Sequence, residues 1–237
     1  MPPPPPPPPR PEWPIPTLNV RVDDLAHPGA KLFFESVNPA DALRDAVTAV
    51  FQWLYVTTAS APAHVRTVDL ILRAFPGVAY TTGTHTAKQI HLSLTHVVAS
   101  ASASPARARD EIRGVLTHEA VHCFQHNARG TCPSGLVEGI ADWVRLRANL
   151  APPHWRARPT DRWDAGYDAT AYFLAWLEAR HGPRTVPALN AALDSGSDAA
   201  SSVSVGPAYD DAVFHHLTGS SVDDLWRAYC AELRARA

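Results

Sequence analysis

Cysteine and methionine are nearly missing from this chain of 237 residues, which has three of the first and one of the second. Cys123, Cys132 and Cys230 are too few and too scattered for a disulfide framework, so a packed core has to hold the fold. Cys123 and Cys132 flank one turn and could bridge, with buried free thiols as the plainer expectation. Charge of one sign is lacking as well: 21 Lys and Arg stand against 23 Asp and Glu, a net of −2. No basic run interleaved with aromatic residues occurs, which argues against a nucleic-acid partner. No apolar run approaches the ~18 residues of a membrane span. Met1 is followed by eight prolines where an export signal would carry charged and apolar stretches, so the default expectation is cytoplasmic. Nothing in the sequence speaks to oligomeric state.

Proline, by contrast, is plentiful: 23 in the chain, eleven of them between Met1 and Pro16. Residues 1–16 cannot enter a helix or a sheet interior and are expected to form a polyproline-II tail, leaving 17–237 as the folded domain. With 46% hydrophobic residues, that domain has enough apolar side chains for a sizeable core.

Thr17 to Val22 alternates apolar and polar residues and reads as a first strand. Asn38 and Pro39 then open a helix whose Leu43, Ala46, Val47, Val50, Phe51 and Leu54 recur at helical spacing. Val65–Phe75, Val78–Thr81 and Gln89–Val98 are further strands. The last carries His91, Leu94 and His96, and as an edge beside a cleft it could take up an extended peptide by strand addition. Ser104 and Pro105 start a central helix expected to run to about Asn127. Gly130, Pro133 and Gly135 let the chain reverse into a second helix, Leu136–Leu150. Asp164–His181 and Arg184–Ala192 follow as helices, Ser195–Ser204 as a loop. Ser221 and Asp224 form a capping box before a last helix with Leu225, Trp226, Tyr229 and Leu233 on one side. This order implies an α+β fold: an N-terminal mixed sheet with helices, a mainly helical C-terminal half, and a cleft between them.

The chemistry concentrates in the central helix, at His118-Glu119-Ala120-Val121-His122. Residues four apart share a helix face, so His118 and His122 can present two imidazole nitrogens to one ion with Glu119 beside them. A catalytic zinc ordinarily takes three protein ligands and keeps one position open for water, which calls for a third ligand downstream. His126 lies ~12 Å from His118 along the axis while zinc–nitrogen bonds are ~2 Å, so it cannot join them. Gln125 and Ala128 stand where a metzincin needs glycine and histidine, so that pattern fails too. Glu138 and Asp142, four apart on the second helix, remain. Glu138 is the expected ligand and Asp142 the group that holds the far nitrogen of a ligand histidine, with the swapped assignment open. Glu119 is expected to act as general base in hydrolysis of a peptide or protein substrate. Tyr167, Tyr172, His154 and His216 are candidates for an oxyanion donor.

The run HEAVHCFQHNARGTCPSGLVEGIADWVRLRANLAPPHW, followed by RWDAGYDATAYFLAWLE and SVDDLWRAY, resembles the plant basic secretory protein family, whose fungal and bacterial relatives are grouped as peptidases of plants and bacteria. The resemblance covers about Leu18 to Tyr229. It implies a zincin-like metallopeptidase of the gluzincin kind, with His118, His122 and Glu138 on Zn2+, Glu119 as catalyst and Tyr167 as the best placed of the tyrosines. It also implies secreted relatives, in contrast to the proline-rich start of this chain. A zinc-containing defence or interaction protein of the same fold, with weak or lost catalysis, is the alternative reading.

Overall fold

The computed structural model describes residues 12–102, 104–194 and 208–236. The expected loop at Ser195–Ser204 and most of the expected tail lie outside these residues. Within the described part of that tail, Trp13 and Ile15 pack against the core, and the Trp13 ring meets Phe51 at 5.8 Å.

The fold is mixed α+β, with four strands and nine α-helices among the described residues. Strands β1 (Thr17–Val22), β2 (Thr67–Arg73), β3 (Ala79–Gly83) and β4 (Ala87–Ser93) form one sheet in the order β1-β2-β4-β3. β1, β2 and β4 are parallel, and β3 runs antiparallel to β4 at the edge. Parallel neighbours need a long crossover, which helices α1 (Pro28–Ser36) and α2 (Pro39–Leu54) supply between β1 and β2. Asn38 Oδ1 accepts the amides of Ala40 and Asp41 at the start of α2, and all six apolar residues expected on its inner face are buried. Helix α1 was not expected. Its start signal is nevertheless present: the His27 ring accepts the Gly29 amide at 3.0 Å and Pro28 takes the first helical position.

One expected strand is corrected. Gln89–Val98 does not continue as a strand: β4 ends at Ser93 and α3 (Leu94–Ala101) begins there. Ser93 Oγ donates to the Phe75 carbonyl at 2.7 Å and caps the amide of His96, which turns the chain. Leu94 and Val97 are then buried three residues apart, a helical interval. His91 consequently sits buried in an interior strand, His96 leaves the sheet, and the edge on this side is β3.

Helix α4 (Pro105–Phe124) starts at the expected Ser104 cap and ends at Gln125, whose backbone is already extended. Ala128, Arg129 and Gly130 all take positive φ, and this tight reversal sends α5 (Ser134–Arg147) back along α4. Helix α6 (Tyr167–His181) packs on α5, and α7 (Thr185–Ala192), α8 (Ala212–Thr218) and α9 (Val222–Arg236) complete the C-terminal half. The Ser221 box opens α9 as expected, Oγ accepting the Asp224 amide at 3.2 Å. All three cysteines are buried and free. Among the described residues, no helix is long and apolar enough to cross a membrane.

A buried ion pair ties α4 to α5. Arg145 Nη2 donates to Glu111 Oε2 at 2.9 Å, and Gly114 makes the room: a Cβ there would lie 2.5 Å from Arg145 Nε. Burial alone would raise the Glu111 carboxyl, but the hydrogen bond from His96 and the charges of Arg145 and Arg107 outweigh it and hold the group down at about 2. A depressed carboxylate stabilises the fold above its ordinary value of 4.5 and loses that contribution as pH falls towards 2. Glu111→Gln should therefore cost roughly 3 kcal/mol at pH 7, because it strands a buried guanidinium, and the gap to the unmodified chain should narrow on acidification. Denaturant unfolding at neutral and acid pH measures this, and equal stability at pH 7 would refute the staple.

Candidate metal centre

His118 and His122 lie one turn apart on α4 and direct their Nε2 atoms to a common point, 3.1 Å from each other. Glu138, on α5, brings Oε2 to 3.1 Å from His118 Nε2 and 3.7 Å from His122 Nε2. In a tetrahedral site with bonds of ~2.0–2.1 Å the donor atoms stand ~3.3 Å apart. The three distances straddle that value, so these side chains can hold a metal ion as they stand.

Behind this triangle, Asp142 Oδ1 accepts from His118 Nδ1 at 2.6 Å. That bond fixes a proton on Nδ1, so Nε2 is the nitrogen that can bind a metal once its own proton has left. Glu138 is thus the carboxylate beside both Nε2 atoms, and Asp142, 2% exposed, is the one behind the ring. His122 has a less settled partner. The Gln125 amide nitrogen lies 3.2 Å from His122 Nδ1 and 3.3 Å from the Val137 carbonyl, while Gln125 Oε1 is buried with no partner. With the amide turned over, Oε1 would take the Nδ1 proton of His122 and free Nε2 as a ligand, at the cost of the Val137 bond.

The electrostatics of the group point to the same need for a cation. Burial pulls His118 down, but its hydrogen bonds to Asp142 and Glu138 outweigh burial and push it up to about 9. Burial raises Glu138, yet the hydrogen bonds from His118 and His122 bring it well below the ordinary carboxylate range. Without a metal, a proton on His118 is the charge that balances these carboxylates.

Glu119 stands beside the triangle and outside it. It is 6% exposed, and Thr81 Oγ1, from β3, lies 2.7 Å from its Oε2 and 3.0 Å from its backbone oxygen. Thr81 escaped the sequence reading because a threonine in a strand is an ordinary β-former. A cleft of about 760 Å³ opens over these groups, walled by Tyr80, Val115, Val137, Trp155 and Tyr167.

Tyr167 reaches the cleft through a close approach of its loop to the start of α5. Gly135, in the first turn of α5, admits the Asp164 carbonyl to where a Cβ would lie 1.8 Å away, and Gly166 takes a φ of +89° just before α6. Tyr167 itself has φ +48°, a conformation costing ~1 kcal/mol for a non-glycine residue, and its ring lies nearly parallel to that of His118 at 6.4 Å. The charge of Glu138, then burial, raises its phenol above the ordinary value. Of the other candidate donors, His154 also lines the cleft. Tyr172 faces a different groove and His216 is exposed on α8. His126 is turned away, with Nδ1 3.5 Å from Asp194.

A model of the family described as peptidase of plants and bacteria matches residues 15–229. No curated protein and no solved structure matches the chain. The match leaves no part of the sheet or of the α4–α5 pair outside it, and the chain belongs to the peptidase of plants and bacteria family.

Proposed function

We propose that this chain is a zinc-dependent peptidase of zincin-like, gluzincin architecture, with His118, His122 and Glu138 as metal ligands and Glu119 as general base. The observation that carries the reading is the position of Glu119, buried in the cleft next to the donor triangle and held by Thr81 without joining it. A site that merely held the fold together would have no use for that carboxylate, which disfavours a zinc protein with lost catalysis.

Zinc, when bound there, supplies a Lewis acid that makes water available as hydroxide near neutrality and polarises a carbonyl. The rest falls to the chain's own groups. Thr81 occupies Glu119 Oε2 and leaves Oε1 to take a proton from the attacking water and pass it to the departing amine. Asp142 keeps His118 in one tautomer and orientation. Tyr167 is the proposed hydrogen-bond donor to the oxygen that gains charge as the carbonyl is attacked. The outer edge of β3 offers unpaired backbone groups to an extended peptide.

Because Asp142 and Glu138 favour a proton on His118 when no metal is present, zinc has to displace it. The raised His118 stabilises the metal-free fold below the ordinary value of 6.5, and that contribution is lost as pH rises through about 9. Zinc affinity should run the other way, increasing by about tenfold per pH unit across the same window, with proton release seen by calorimetry in buffers of different ionisation heat. A flat affinity between these limits would contradict the site.

Glu138→Ala should strip zinc while Glu119→Ala retains it, and metal analysis of the purified variants decides; stoichiometric zinc in both would refute Glu138 as ligand. Glu119→Gln should retain zinc and lower kcat by ~10²–10⁴-fold with little change in KM on unstructured peptides. Undiminished hydrolysis at full zinc occupancy would exclude the mechanism.

A further inference from the structure

The cleft does not stop at His122. A second cavity, of about 300 Å³, shares His122 with it and extends beyond the turn between β3 and β4. His64, His85, Lys88 and His126 line it, and Asp194 is the sole carboxylate among the described lining residues. That carboxylate is already engaged by His126 at 3.5 Å. Lys88 is half-buried and has no ion-pair partner among the described residues. The rings of His64 and His85 are stacked 3.9 Å apart and only 3° from parallel. Rings stacked face to face leave their edges, each carrying an N–H donor, open to an acceptor such as a carboxylate. The positive character of the place also acts on His64: burial first, then His85, Lys88 and His126, hold it below its ordinary value. A neutral imidazole still donates one N–H.

We propose that this cavity is an anion subsite that takes the side-chain carboxylate of an Asp or Glu, two or three residues to the amino-terminal side of the scissile bond. The proposal rests on the peptidase reading. Its direction comes from the sheet. β3 runs from Ala79 to Gly83, Thr81 faces Glu119, Lys88 pairs with Gly83 and His85 lies in the turn beyond. A peptide added antiparallel to this edge carries its amino-terminal residues towards that turn. At ~3.3 Å per residue, Gly83 is ~7 Å past Thr81, which sets the separation. A free C-terminal carboxylate would fall at the opposite end of the cleft.

The test uses the full-length, zinc-loaded protein and fluorescent peptides blocked at both ends, identical except for Glu, Gln or Lys at that position. In Glu119→Gln, which holds peptide without turning it over, the Glu peptide should bind roughly tenfold tighter than the Gln peptide, an advantage that salt weakens. Lys88→Gln should shrink that ratio to within twofold, and Lys88→Glu should turn the preference towards Lys. Equal binding of the three peptides, or a preference indifferent to both Lys88 variants, overturns the subsite. So does a preference that appears only with an unblocked C-terminus. Cleavage by the unmodified chain separates the two levels. Equal cleavage of the Glu and Gln peptides leaves the peptidase and removes the subsite. Lys88-dependent binding of the Glu peptide with no cleavage of any peptide removes the peptidase and leaves the subsite.

Discussion

Everything in the centre of this molecule depends on α4 and α5 lying side by side in one register. Three polar contacts set it: Glu111 with Arg145, His118 with Asp142, and His122 with Glu138. Numbers rise along α4 as they fall along α5, so the helices run in opposite directions. Glu138, Asp142 and Arg145 fall at intervals of four and three, one face of a helix. Each contact brings a charge into a place with little water, and such charges are tolerated only when paired. A slip of either helix would leave several of them unmatched at once. The ion pair at Glu111 therefore helps to place a histidine seven residues away, and Gly114 contributes by having no side chain.

The second dependence runs from the sheet. Glu119 reaches across from α4 to Thr81 on β3, so the strand that would carry a substrate backbone also steadies the carboxylate that would act on it. Tyr167 closes the cleft from the other side, held there by a strained backbone and by two glycines that let its loop lie against α5. Strain at a cleft residue has to be supported by the packing around it, here the Asp164–Gly166 loop over Gly135.

Much of this was legible in the sequence because local signals and the tertiary structure agree. Asn38-Pro39, Ser104-Pro105 and Ser221 with Asp224 mark helix starts by backbone chemistry that needs no partner elsewhere. His118, His122, Glu138 and Asp142 were legible because helical spacing converts sequence intervals directly into positions on a face. What was not legible depended on distant contacts. Gln89–Val98 has the composition of a long strand, and only the Phe75 carbonyl, which captures Ser93, ends it early. Thr81, Arg145 and Trp155 become cleft residues through the sheet order and the α4–α5 packing, neither of which leaves a local trace.

The proposed peptidase chemistry stands on one metal site formed by His118, His122 and Glu138, which Asp142 and Glu119 serve without entering. Anomalous scattering at the zinc edge, from crystals grown with one equivalent of zinc, tests it most directly. A single strong peak is expected ~2.0–2.2 Å from His118 Nε2, His122 Nε2 and a Glu138 carboxylate oxygen, with Asp142 still bonded to His118 Nδ1. A peak coordinated by Asp142 or Glu119 in place of Glu138, or no peak between α4 and α5, would contradict it.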